Sequence, residues 1–558
     1  MAGLVLRPDI PGEGPELLLR RRLAAVAVRQ RRLVLTLALV LGWPLIAASQ
    51  TVPPAPPKVF LDTSHSPPSG RTIPVAAGGD LHAALKSAQP GDVITLEPGA
   101  TFQGNFALPR KGGGTAWITI RSGAPDDKLP APGTRVSPAV ASLMPKILSP
   151  DSNPAVYTEP GAHHYRLIGL EISAASNVKQ IYSIVAFGGV ETSLDTVPHD
   201  LIIDRCYIHG FPTLQTSRGV LLNSASSAVI DSHISEIHGA GFDTQAILGF
   251  NGPGPFKIVN NFLEGAGENI MFGGADPRIP DLVPSDIEIR RNHIFKPLSW
   301  RPGSQSPGVP RWTVKNLLEL KNAQRVIIEG NLLENMWGGS AVVLTPRNQG
   351  GRAPWSIVQD VLLRNNVIKN STSGFSLSST DNERSSQPTK RIAIVNNLWL
   401  LTRTFFGVGA GGLAALDDLL VDHNTAVPVG YSAYRVGGPT PPGLIRLRLT
   451  NNLIGFGAYG VTLAKPDDSV ARFAPGAAIA KNALVNISDI GDGQGVKRNR
   501  PPGINQAMYM SFATSTAAGV NPSDGTLTTE SPLLRAGTDG KDIGVDFEQL
   551  RRAMTDSR

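Results

Sequence analysis

From about residue 75 onward, short apolar runs recur between Gly, Pro, Asn and Asp, and in NLLELKN (316–322) apolar and charged residues alternate at period two. That is the period of a strand, not of a helix. One pattern, apolar-x-x-N-x-apolar, returns as IVNNFL (258–263), IRRNHI (289–294), IEGNLL (328–333), LRNNVI (363–368), IVNNLW (394–399), VDHNTA (421–426), LTNNLI (449–454) and IAKNAL (479–484). Degenerate copies precede it: LIGLEI (167–172), IDRCYI (203–208) and VIDSHI (229–234). The fourth position is Leu170, Cys206, Ser232, Asn261, Asn292, Asn331, Asn366, Asn397, Asn424, Asn452 and Asn482. A repeat recurring about every 31 residues marks a solenoid.

Each unit holds a second short apolar strand, such as GVLLNS, NIMFGG, NLLELKN, SAVVLTP or SGFSLSS, and no stretch long enough for an amphipathic helix. One such unit cannot bury its own apolar face. Stacked copies share a core and pair their strands in parallel, about 4.8 Å per coil. Asn tolerates a left-handed bend, and stacked Asn amides hydrogen-bond along a column, so the Asn positions are expected to be structural. The predicted fold class is all-β: a single-stranded right-handed parallel β-helix (solenoid) with an N-terminal capping helix.

Composition agrees, with 59 Gly, 46 Pro and only 17% charged residues. The single cysteine, Cys206, excludes a disulfide framework. Arg20, Arg21, Arg22, Arg29, Arg31 and Arg32, the apolar run 33–46 and AAS before Gln50 follow the order of an export signal. The expected organisation is a signal peptide over 1–49, a Pro-rich linker over 50–74, the β-helix over 75–550 and a tail over 551–558. A secreted, periplasmic or cell-envelope protein follows, with no stable membrane insertion after cleavage. A retained anchor is the alternative. Losing residues 1–49 removes seven Arg and three acids, so the net charge of +7 falls to +3. A mildly basic monomer of this kind suits an acidic polysaccharide as partner and no nucleic acid, which calls for a concentrated basic stripe.

These repeats resemble the right-handed parallel β-helix of pectate lyases, chondroitinase B and alginate lyases. GGDLHAALKSAQPGDVITLEPG (78–99) looks like that fold's capping helix, PGD turn and first strand. NNFLEGAGENIMFGGADP and TDGKDIGVD (538–546) are similar to a group of secreted bacterial β-helix proteins without an assigned activity. The motifs of the fold's enzymes divide the choices. GFDT (241–244) and Asp417–Asp418 occur without the GHG and RIK of polygalacturonases. VIDSH (229–233) departs from the WIDH of pectate lyases, whose RxPxxR is missing, and the DPHD of alginate epimerases is absent.

Chondroitinase B and its alginate-lyase relatives use Lys and Arg on neighbouring coils and a calcium ion held by acidic and amide groups. That resemblance directs attention to NLLELKN (316–322), in which Glu319 and Lys321 alternate with Leu318 and Leu320. Phe272, Leu320, Leu344 and Leu377 align as one inward column, with Met271, Glu319, Val343 and Ser376 outward. A further outward column is expected to hold Ala275, Ala323, Arg347 and Thr380. The resemblance implies Lys321 as base, Arg347 as its partner, and Ca²⁺ at Glu268, Asp276 and Glu319. β-Elimination needs the uronate carboxylate neutralised and a base within reach of the α-proton. A carboxylate beside Lys321 favours ammonium, so a lysine base implies a metal to offset Glu319.

The insertion SWRPGSQSPGVPRW (299–312) precedes this strand. Trp300, Arg301, Arg311 and Trp312, with Asn348, are the expected substrate contacts. The predicted activity is a polysaccharide lyase. A glycoside hydrolase and a non-catalytic polysaccharide-binding solenoid are the alternatives. An outward Glu–Lys pair can equally be a wetted ion pair worth under about 1 kcal/mol. His163, His164, His209, His233 and His238 show no regular metal spacing and are expected to fill coils.

Overall fold

The computed structural model describes residues 51–65, 67–304, 310–409, 414–437, 443–463, 470–486 and 509–555. The expected signal lies outside them, as do residues 305–309 of the insertion. Among the described residues one sheet, here sheet I, takes 14 strands in chain order from Thr72–Val75 to Ala478–Ala480, each parallel to the next. Two further stacks run beside it. Sheet II begins at Thr101–Gln103 and Lys146–Ser149, and sheet III at Phe106–Leu108 and Val156–Thr158. The long strands Leu332–Leu344, Val367–Ser378 and Leu398–Gly409 bend from sheet II into sheet III. Each strand pairs with its equivalent one coil away, which makes the chain a parallel β-helix around one continuous apolar core. The helix Leu81–Ser87 starts on Asp80, whose side chain accepts from the Ala83 N–H, and buries Leu81, Ala84 and Leu85 in that same core.

The repeat column is interior as expected. The carboxamide oxygen of each Asn accepts the backbone N–H of its counterpart one coil earlier at 2.9–3.1 Å, from Ser232 through Asn482. Each Asn from 261 to 452 also donates its amide to the next Asn oxygen. Cys206 continues the column with its N–H on Ser232 Oγ. The left-handed bend, however, belongs to the residue before the ladder: Arg205, Asn260, Asn365, Asn451 and Lys481 have φ of 51 to 58°. A ladder Asn must point inward to bond its neighbours, so the reversal falls on the preceding residue. Gly330 fills that position where the C-terminal helix Phe547–Thr555 crosses, since a Cβ there would lie 2.3 Å from the Ala553 carbonyl oxygen. That helix begins before residue 550, where the solenoid was expected to end.

A second left-handed column runs along sheet I at the second or third residue of successive strands: Asp286, Arg325, Asp360, Arg391, Asp418 and Arg446. Each Arg grips the Asp one coil earlier through two nitrogens. The Pro-rich segment TVPPAPPK (51–58) lies along this column. The N–H groups of Val52, Ala55 and Lys58 donate to Oδ1 of Asp418, Asp360 and Asp286 at 2.9, 2.9 and 2.8 Å. Prolines occupy the intervening positions and have no N–H to place. Three residues of a polyproline II chain advance about 9.3 Å, close to the roughly 9.6 Å of two coils, so every third residue meets every second Asp. Further on, Leu61 and Ser64 accept through their carbonyls from Lys257 and Arg166. The expected linker is thus a strap held to the solenoid.

Candidate functional site

Sheet III places Ser183, Arg218, Gln245 and Glu268 in one column on successive coils. Met271, Glu319, Val343 and Ser376 form the neighbouring outward column, and Phe272, Leu320, Leu344 and Leu377 the inward one, as the alternation predicts. Lys321 follows directly, its N–H on the Phe272 carbonyl at 2.7 Å. Gly273, at φ 92°, lets the chain pass there: a Cβ on it would meet Lys321 Cβ at 2.8 Å.

The charges converge at this point. Lys321 Nζ lies 3.6 Å from Glu319 Oε1, and Asn316 donates to Glu319 Oε2 at 3.0 Å. Gln245 donates to Glu268 Oε2 at 2.7 Å. Glu268 Oε1 is buried without a hydrogen-bond partner and has Lys315 Nζ 4.0 Å away. Lys315 also pairs with Asp243 at 2.6 Å, at the exposed rim. Burial, then the charge of Glu319, pushes the Glu268 carboxyl up to about 7. Beneath it the wholly buried Lys296 ammonium donates to the carbonyls of Gly265, Ala266 and Gly267 at 2.6, 2.9 and 2.8 Å. Burial draws Lys296 down to about 7, against the pull of Glu268 and Glu264. The cluster therefore holds one carboxyl poised near neutrality beside another paired with a lysine.

Several expected site residues are engaged elsewhere. The chain leaves sheet III at Asn322, whose side chain ties Leu282 and Ile357, so Ala323 starts a sheet I strand and does not share a column with Arg347. Arg347 points to Asp381 and Asn382, at 2.9 and 2.5 Å. Asn348 is saturated by Asp381, Ser385 and Ala353. Trp312 stacks on buried His238 at 4.0 Å between ring centroids and Trp300 meets the same ring edge-on, so both indoles are core. Arg301 and Arg311 are exposed.

The three carboxylates expected to hold Ca²⁺ do not converge. Asp276 Oδ2 accepts the N–H groups of Gly350 and Arg352, both at 2.9 Å, and so ties down a loop. Among the described residues, His164, His199 and Asp200 on sheet I form the group of three such side chains whose ligand atoms lie within 4.8 Å.

Arg218 had no place in the sequence argument. Half-buried on the outward face, it has a buried Nε without a hydrogen-bond partner, and burial lowers the proton affinity of its guanidinium. Its signal was the position of SRGVLL one repeat ahead of the strand carrying Gln245.

No known family and no curated protein matches the chain. Several solved structures resemble it. The PL6 family alginate lyase AlyGC is 14% identical, with 85% of this chain and 58% of that one covered and a TM-score of 0.42. The catalytic unit of the thermostable GH87 α-1,3-glucanase from Streptomyces thermodiastaticus strain HF3-3 is 12% identical over 82% of this chain and 70% of that one, with a TM-score of 0.41. Pectate lyase Pel9A is 13% identical over 85% and 96%, with a TM-score of 0.30. The likeness is one of fold, the right-handed β-helix; this chain spans little more than half of the alginate lyase.

Proposed function

We propose that the protein is a secreted carbohydrate-active β-helix protein that takes an acidic polysaccharide across the outer face of sheet III and cleaves it by β-elimination. The observation that carries this reading is Arg218, a cation with an unsatisfied buried nitrogen in one column with Gln245 and Glu268. The residue is partly exposed, and a planar guanidinium pairs with a ligand carboxylate through parallel N–H bonds. Two coils, about 9.6 Å, separate Arg218 from Glu268, which sets it against a uronate beyond the one that reacts.

The geometry favours roles that differ from those the resemblance implied. Lys321, 3.6 Å from Glu319 Oε1, brings a cationic side chain suited to neutralising the reacting uronate carboxylate. Glu319, a carboxylate, is then the base for the C5 proton. The C5–H electrons form the C4=C5 bond, the C4–O bond breaks, and the leaving oxygen takes the proton of Glu268, which its raised proton affinity keeps available near neutral pH. Lys315 and Asp243, paired at the rim, must part to open Glu268 to substrate. Hydrolysis is the second reading, favoured by two neighbouring carboxyl groups of which one is raised to about 7.

A panel of uronate polymers decides between them. Ultraviolet absorption from the new conjugated double bond supports elimination, and new reducing ends without it support hydrolysis. Binding that Arg218→Ala weakens, with no product, leaves a polysaccharide-binding solenoid. Equal indifference of native protein and Arg218→Ala to every polymer overturns the proposal.

A further inference from the structure

Away from sheet III, four side chains meet at the start of two adjacent sheet I strands. His163 and His199 are in register, and their rings stack at 5.0 Å with 8° between planes. His164 and Asp200 occupy the left-handed second positions, at φ of 58 and 53°. Further along the solenoid the same positions hold the Asp–Arg pairs, so this column brings side chains of neighbouring coils into direct contact. Here it brings nitrogen and oxygen donors. His199 Nδ1 lies 2.6 Å from Asp200 Oδ2, and His164 Nε2 lies 3.9 Å from that same oxygen.

We infer that His164, His199 and Asp200 form a binding site for a divalent transition-metal ion of the zinc, cobalt or nickel class. Two imidazole nitrogens and one carboxylate oxygen suit these ions and not Ca²⁺, which takes oxygen ligands. Bonds of roughly 2.0–2.2 Å to a tetrahedral ion hold donors about 3.3 Å apart; the separations of 2.6 and 3.9 Å lie on either side of that value. Small side-chain rotations suffice to reach it. The outer shell is also in place. His164 Nδ1 is 2.8 Å from His163 Nδ1, which fixes the ring and leaves Nε2 turned toward Asp200. Trp117 meets the His164 ring edge-on at 5.3 Å. A ligating imidazole held through its other nitrogen is the usual arrangement at such ions. His199 and Asp200 are partly exposed, so the fourth position faces solvent.

The site ties one coil to the next and is independent of the sheet III chemistry, so its test needs no polysaccharide. Full-length protein without a polyhistidine tag is titrated with Co²⁺, and the visible spectrum and melting temperature are followed, with Zn²⁺ in a parallel melt. One equivalent of bound Co²⁺ with low-symmetry visible bands, and a melting temperature raised by Zn²⁺, are expected. His199→Ala and Asp200→Asn should each weaken binding at least tenfold while melting normally without metal. His293→Ala, a histidine bound to Glu334 outside the cluster, should bind as the parent does. No stoichiometric binding by the parent, or equal binding by His199→Ala, overturns the inference. Should both cluster variants fail to fold, His163→Gln, which disturbs only the outer shell, must still lower the affinity.

Discussion

Lys321, just past the end of the strand Leu318–Leu320, and Glu319 within it hold their charges 3.6 Å from each other with side chains only 13% and 8% exposed. A pair this enclosed differs from the wetted ion pair that alternation alone suggests. Glu268 one coil earlier adds a second carboxyl to the same lysine. Lys321→Met removes the cation that both carboxyls face, and should cost on the order of 2 kcal/mol in denaturant titration. Turnover on the cleaved polymer should fall at least a hundredfold. Glu319→Gln should lower kcat with KM nearly unchanged, because the base acts in the transition state. Parental kinetics in Glu319→Gln would move the base elsewhere.

Glu268 gives the fold a pH dependence whose sign follows from its environment. Its folded value near 7 stands above the ordinary 4.5, so between those values the native state holds a proton that the unfolded chain has lost. Stability contributed by that protonated carboxyl is present below about pH 4.5 and falls as pH rises toward 7. Glu264, also pushed up to about 7 by burial, slopes the same way. Glu268→Gln keeps an acceptor for Gln245 and should remove on the order of 3 kcal/mol from the change in unfolding free energy between pH 4.5 and 7. An unchanged slope would mean that Glu268 ionises freely in the native state.

The Asn column makes a sharper structural prediction. Asn366 accepts from the N–H and amide of Asn331 and donates to Ile328 and Asn397. Asn366→Leu orphans several of these buried groups and should cost about 2–4 kcal/mol. Lys481, exposed at φ 54° just before Asn482, should respond in the opposite sense: Lys481→Gly relieves the left-handed conformation and should stabilise by up to about 1 kcal/mol. Paired thermal melts test both, and equal melting of Asn366→Leu and parent would remove the ladder from the energetics.

The strap separates an N–H from a backbone shape. Ala55→Pro preserves an extended Pro-rich chain but deletes the donor to Asp360, and should lower stability by about 1–2 kcal/mol. Pro54→Ala keeps every donor and should change little. If both variants melt alike, the hydrogen bonds are incidental to holding the segment.

The ladder was legible because one side chain recurs in a fixed frame. The position of the bend was not, since Asn fits both a left-handed turn and an amide stack and often two stand together, as in NN at 260–261. Trp300 and Trp312 were misjudged because a loop's sequence carries no sign of whether its aromatics turn outward or fold back on a ring such as His238. The histidine cluster was legible after all. His163 and His199 stand seven residues before Leu170 and Cys206, so laying HHYRLIGL over HDLIIDRC in the repeat frame pairs HH with HD. Taken one at a time, those histidines showed no spacing. The strap was hidden by composition: prolines suggested a spacer, while the informative feature was the period of three left by V-PP-A-PP-K.

That strap alters how the molecule assembles and comes apart. A stack of coils holds each layer by its neighbours, so it can fray from either end one layer at a time. Val52 bound to Asp418 closes a contact across 366 residues, and a coil bearing Asp418 or Asp360 cannot peel away without releasing a segment anchored on other coils. Unravelling from the C-terminal side thus becomes a concerted event with a higher threshold. During synthesis the order reverses: residues 52–58 emerge from the ribosome early but must wait for Asp286, Asp360 and then Asp418, so a segment made before any coil is among the last to be fastened.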